Sequence, residues 1–337
     1  MRFIHRLLER LAAARVRPLP AVLFAVALSS LALGGFLAQS PEEPRGARPE
    51  RMGPDDVSVG APWTGEPGIS ESVSQIMARE TAARAQAALG EPSAPKEIRP
   101  ELFDLKNLPR EQNPLAPAHS RWPLSPEGVQ AAEALNAQTV GTSFLGARIS
   151  ESGFIPPDSM GAVGPTQVVV IVNGRIKVFD KSGVLGGLNA STDTFFQSVR
   201  NNSSTSDPHV RYDRLSGRWF ITIINVSTPN RILIAVSSGS TITSASSFTF
   251  FFFQHDQVGA TPNSDTGGLA DYDTLGVDRF ALYIGSNIFN AAGTAFIGTT
   301  GYVVNKASLF LGTLTVTAFR GLTNCTAGCT AGPLSPQ

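Results

Sequence analysis

Gln167-Val168-Val169-Val170-Ile171-Val172-Asn173-Gly174-Arg175-Ile176-Lys177-Val178-Phe179-Asp180 decides how this 337-residue chain is read. Val168 to Val172 is an unbroken apolar run of strand length. Asn173-Gly174 then supplies a two-residue hairpin turn, because both positions tolerate positive φ. In the return strand Arg175, Lys177 and Phe179 alternate with Ile176 and Val178. The pattern predicts one strand buried on both faces paired with one buried on a single face.

The unit recurs. Pro157-Asp158 leads into Val168 to Asn173 and then Ile176 to Asp180. Asp207-Pro208 and Tyr212-Asp213 lead into Trp219 to Asn225 and then Ile232 to Ser237. Asp271-Tyr272-Asp273 leads into Phe280 to Asn287 and then Gly301 to Asn305. Each time an Asp-bearing turn precedes a hydrophobic strand ending in Asn, and the Asn positions lie roughly 50 to 60 residues apart, a spacing that suits a four-stranded propeller blade. The expected fold is therefore all-β, a partial β-propeller of about three blade-like four-stranded units. A β-sandwich is the alternative, since it too needs hairpins with Gly and Asn turns.

Around this region the chain changes character. After Glu151 there is no glutamate, and Val, Ile, Thr, Phe, Ser, Asn and Gly dominate, so the β-domain is expected over 141–337. Three units fall short of the four to eight blades that close a propeller, which reads as an incomplete ring. Residues 41–140 are rich in Pro, Ala, Glu and Arg and are expected to form a disordered, partly helical linker. Its helical pieces are Ser72 to Leu89, opened by a capping box at Ser72 and Gln75, and Pro126 to Gln138.

At the N-terminus Arg2, Arg6, Arg10, Arg15 and Arg17 precede an uncharged apolar run from Ala21 to Ala38. This is the order of a signal peptide over 1–40, with Ala38 and Ser40 as small residues before the cleavage point. An uncleaved membrane anchor is the alternative, and would be the only link to a membrane. The expected location is secreted or cell-surface, with the periplasm also compatible. Lysine plus arginine (27) equals aspartate plus glutamate (27), a balance without the basic footprint of a nucleic-acid binder. In an oxidising compartment Cys325 and Cys329 are expected to close a disulfide loop.

The chain also resembles a family of secreted bacterial β-propeller proteins, mostly uncharacterised and distantly sialidase-like. The resemblance is carried by Pro156-Pro157-Asp158-Ser159-Met160-Gly161-Ala162-Val163-Gly164-Pro165 and by Phe179-Asp180-Lys181-Ser182-Gly183. It continues through Asp207-Pro208-His209-Val210-Arg211-Tyr212-Asp213-Arg214-Leu215-Ser216-Gly217-Arg218-Trp219 and Asp271-Tyr272-Asp273-Thr274-Leu275-Gly276-Val277. It covers about Phe144 to Leu311; the count of three units is what reads as a chain cut short at its C-terminus. Ser244-Ala245-Ser246-Ser247-Phe248 lacks the Asp and Trp of a sialidase Asp-box turn, so the resemblance implies architecture and not sialidase activity.

Without glutamate, any catalytic carboxylate in the β-region must be an aspartate. Asp158, Asp207, Asp213 and Asp271 are the catalytic candidates, each weighed against a turn-stabilising role. Asp271, Asp273 and Asp278 could give oxygen ligands to calcium, the one cofactor considered against none. Arg211, Tyr212, Trp219 and Tyr272 are the candidate binding residues, offering charge and stacking surface. His209 and His255 lack the patterned partners of a triad. The leading expectation is an interaction module that binds an extracellular glycan or protein. A glycan-active hydrolase or lyase, and a fragment without independent function, are the alternatives. Convergence of the aspartates with Arg211, Arg218 or Arg279 in one pocket distinguishes the enzyme from the module.

Overall fold

The computed structural model describes residues 60–89, 96–97 and 141–322, all within the compact unit Ser58–Gln337. The signal segment 1–40, the helix expected at Pro126 to Gln138, and Cys325 and Cys329 lie outside the described residues.

The chain opens with strands β1 (Trp63–Thr64) and β2 (Ile69–Ser72), helix α1 (Val73–Ala87) and strand β3 (Lys96–Glu97). Helix α2 (Ile149–Ser152) and strand β4 (Phe154–Ile155) follow, with β4 pairing parallel to β3. A first meander then runs through β5 (Met160–Val163), β6 (Gln167–Val172), β7 (Arg175–Asp180) and β8 (Leu185–Ala190). After helix α3 (Thr192–Phe195), a second uses β9 (Thr205–Asp213), β10 (Arg218–Asn225), β11 (Arg231–Ser237) and β12 (Ser247–Gln254). The third begins with two short strands on one partner, β13 (Leu269–Asp271) and β14 (Gly276–Val277) against β15 (Ala281–Phe289). It continues through β16 (Phe296–Asn305), helix α4 (Lys306–Phe310) and β17 (Thr315–Phe319). The fold is mostly β, with antiparallel sheets of which none is closed.

The hairpin of the decisive stretch forms as the pattern predicts, with Val172 opposite Arg175 across Asn173-Gly174. Gly174 sits at φ +81°, and a Cβ there would meet the Ser152 carbonyl at 2.1 Å, so the turn admits no side chain.

Alternation then decides what each sheet face touches. Trp219, Ile221 and Ile223 of β10 enter a core shared with Val169, Ile171, Ile176 and Val178 of the first sheet. Phe220 and Ile224, on the opposite face, enter a second core with Leu282, Ile284, Tyr302 and Val304 of the third sheet. The second sheet is thus buried on both sides. The phenylalanine run follows the same rule: Phe248 and Phe250 join the first core, Phe251 and Phe253 the second. Phe195 and Phe196, at the end of α3, meet Phe250 edge-on at 5.1 and 5.6 Å.

The expectation that 41–140 is linker is corrected for its segment 60–87. β1 extends the third sheet beyond β17, with Trp63 opposite Val316, and β2 extends the second beyond β12, with Ile69 opposite Phe250. Helix α1 carries the expected capping box, Ser72 accepting from the Gln75 N–H and Gln75 from the Ser72 N–H. Val73 and Ile76 reach the first core. The helix is also anchored ionically. Buried Glu80 accepts from Arg175 and Arg84, both at 2.7 Å, and from the Ser191 N–H at 2.9 Å. Burial alone would raise its carboxyl, but these donors hold it down to about 2.

Candidate functional site

The first strands of the three meanders, β5, β9 and β13–β14, lie beside one another, with β9 touching both neighbours. Each has near its start a non-glycine residue in the left-handed region: Asp158, two residues before β5, at φ +38°, Asp207, third in β9, at +59°, and Tyr272, between β13 and β14, at +51°. Six positions later come Gly164, Asp213 and Asp278. The candidate residues therefore divide between two ends of the same strands. At ~3.3 Å per residue those ends are roughly 20 Å apart.

At the starting end Asn173 joins the first two sheets. Its Nδ2 donates to Asp158 Oδ2 at 2.6 Å, and its Oδ1 accepts from the Asp207 N–H at 2.8 Å. Next to it His209 is buried, its ring edge-on to Tyr272 at 5.9 Å. Burial and the Arg211 charge push His209 down to about 4, against the pull of Asp158. It stays neutral at physiological pH. Asp271 pairs with Asn287 in the strand register, and Asp273 is fully buried.

At the far end Asp213 accepts from Lys306 Nζ at 2.8 Å and from the Leu215 and Ser216 N–H groups at 3.0 and 3.1 Å. Burial would raise this carboxyl, yet Lys306 and Ser216 hold it below the usual range. Lys306 also donates to the Asp278 carbonyl, so it ties the second sheet to the third. The Asp278 carboxylate accepts from the Phe280 and Ala281 N–H groups, at 2.7 and 2.9 Å, and from the Tyr283 hydroxyl at 3.0 Å.

Asp158 and Asp207 are thus brought together through Asn173, whereas Asp213 is not with them. Nor do the arginines converge on the aspartates. Arg211 donates to its neighbouring Val210 carbonyl, Arg218 donates to Ser237 O and lies over Phe310, and Arg279 lies over Phe280. The grouping of Asp271, Asp273 and Asp278 is not reproduced, since Asp278 caps a turn at the far end while Asp273 is buried near the start. Among the described residues no three His, Cys, Asp or Glu side chains gather at metal-binding distance.

Trp219 requires a correction as a binding residue. Its side chain is fully buried, Nε1 donates to Ser240 O at 3.0 Å, and the ring packs on Tyr212 at 4.8 Å. Gly164 lies so close that a Cβ there would meet the indole at 2.5 Å. Tyr212 keeps an accessible edge. With Val163, Gly164, Pro165, Lys181 and Arg214 it lines an open depression of about 390 Å³ at the far end of the first two sheets.

Lys181 and Arg214 were not singled out by the sequence, although both stand beside turn aspartates, Asp180 and Asp213, that punctuate the repeat. Lys306 carries no sequence signal, because its partner lies 93 residues away. No protein-family model, no curated protein and no solved structure matches this chain. Among the described residues no helix is long and apolar enough to cross a membrane.

Proposed function

We propose that this chain is an exported, non-catalytic interaction module, a partial β-propeller whose depression at Tyr212, Lys181 and Arg214 takes an acidic extracellular glycan. The observation that carries the reading is the fate of the aspartates. Asp213 is consumed by Lys306 and turn amides, Asp158 by Asn173, and the set is divided between two ends of the inner strands. A glycosidase needs two carboxyl groups facing one bond at ~5 to 9.5 Å, with at least one open to a substrate. The propeller reading is supported by three four-stranded meanders in chain order, stacked face to face with their first strands adjacent. Two cations beside an aromatic edge suit a carboxylated or sulfated sugar, through charge on one side and stacking on the other.

Calorimetric titration with a panel of acidic and neutral polysaccharides tests this. Acidic polymers are expected to bind, and Tyr212→Ala or Arg214→Ala to weaken binding about tenfold, 1.4 kcal/mol. Release of reducing ends that stops in Asp158→Asn or Asp207→Asn would overturn the non-catalytic reading. Fractionation of expressing cells with and without residues 1–40 tests export.

A further inference from the structure

The junction between the second and third sheets holds a knot of buried polar groups that no contact explains. Asp273 is fully buried, and neither of its carboxylate oxygens has a hydrogen-bond partner. Thr222 and Ser286 are also fully buried, and their hydroxyls have none either. Leaving such groups unmatched is costly, and most of all for a charge.

These three side chains come from facing elements. Thr222 shares a β10 face with Phe220 and Ile224, which point into the core with the third sheet. Ser286 shares a β15 face with Leu282 and Ile284, which point back. Asp273 lies in the bulge between β13 and β14. Asp271 pairs with Asn287, and the Thr274 N–H donates to Gly285 O at 2.9 Å, so Tyr272 and Asp273 stand opposite Ser286. Burial pushes the Asp273 carboxyl up to about 8; the Thr222 hydroxyl and the Asp273 backbone N–H, both nearby, pull it back, and the Asp271 charge adds to the rise.

The geometry points to an alkali-cation site, filled by sodium, in which Asp273, Thr222 and Ser286 supply the side-chain oxygens that clamp the second and third sheets together. The donor set is all oxygen, the choice of a hard cation and not of zinc or copper. Charge then selects within the hard cations. The buried set carries one negative charge, His209 beside Thr222 is neutral, and Asp271, whose charge is felt at Asp273, is partly exposed and lies outside the set. Sodium brings the buried charge to zero, whereas calcium would leave a positive charge in a low-dielectric junction. The site is distinct from the calcium grouping read from the sequence, since it omits Asp278 and uses two hydroxyls that have no acidic signature.

The test is thermal unfolding of the full chain at pH 9, where proton competition is least, in sodium chloride against choline chloride at equal ionic strength. Sodium is expected to raise Tm by about 3 °C or more. Asp273→Asn, which keeps the shape and removes the charge, should abolish the difference, and Ser286→Ala should reduce it. Equal melting of the native chain in the two salts would overturn the proposal, leaving a protonated or hydrated acid. So would a response to millimolar calcium chloride without one to sodium, or a sodium response that persists in Asp273→Asn.

Discussion

The second sheet is packed on both faces, and its two junctions solve the same problem differently. Toward the first sheet, Trp219, Ile221, Phe248 and Phe250 meet aliphatic strands and the aromatic pair Phe195–Phe196. At the inner end of that junction one amide, Asn173, satisfies a carboxylate of one sheet and a backbone N–H of the next. Toward the third sheet the apolar part is comparable, but the inner end holds His209 Nδ1, Thr222, Asp273 and Ser286 with their polar atoms unmatched by protein. On that side Asn230 Oδ1 accepts from the Ala270 N–H at 2.7 Å, and Lys306 spans Asp213 and the Asp278 carbonyl at the opposite end. A repeat therefore reproduces strand positions without reproducing junction chemistry.

The largest effect is expected where the first junction is densest. Phe250→Ala removes a ring that meets Phe195, Phe196 and Phe248 and should cost about 3–5 kcal/mol in denaturant unfolding. A loss below about 1 kcal/mol would mean that the two sheets are not cooperatively joined through this core.

Glu80 and Asp273 extend the contrast to buried charge. Glu80, with three donors, is held at about 2, below its ordinary value of 4.5. The unfolded chain therefore binds the extra proton between those values, and the stabilisation, present above about pH 4.5, is lost as pH falls toward 2. The whole effect is about 3 kcal/mol, and Glu80→Gln should flatten that limb of an acid-unfolding curve. A curve unchanged by the substitution would show that the helix anchor contributes nothing.

Asn173→Ala comes next. It strips the Asp207 N–H of its acceptor and Asp158 of its donor in a buried setting, and should cost about 1–3 kcal/mol by chemical denaturation. If the cost is near zero, the amide bridge is incidental to the first junction.

Much of this architecture was legible because it is local. An apolar run, Asn-Gly and an alternating return strand specify a hairpin within 14 residues, and the Asn endings at 173, 225 and 287 expose the repeat. The segment 60–72 was not legible, since strands of two and four residues carry no alternation and exist only because sheet edges receive them. Glu80 carries no local signal of docking, because its partner Arg175 lies 95 residues away. Trp219 stands out as stacking surface by residue type, yet it opens a largely apolar strand equivalent to Val168 to Val172, the pattern that predicts burial on both faces. Of the site, the aspartates were found but their division was not: a spacing of six along one strand separates groups that a list of candidates treats as neighbours.

The smallest effect tests the second junction most directly. Thr222→Val replaces an unmatched buried hydroxyl with a methyl of nearly the same shape, so in sodium-free buffer there is no hydrogen bond to lose. Stability should stay unchanged or rise by up to about 1 kcal/mol, because the desolvation of the hydroxyl disappears with it. At the first junction the corresponding polar deletion, Asn173→Ala, has the opposite sign. If Thr222→Val instead cost more than about 1 kcal/mol without sodium, the hydroxyl would have a protein partner and the difference between the two junctions would collapse.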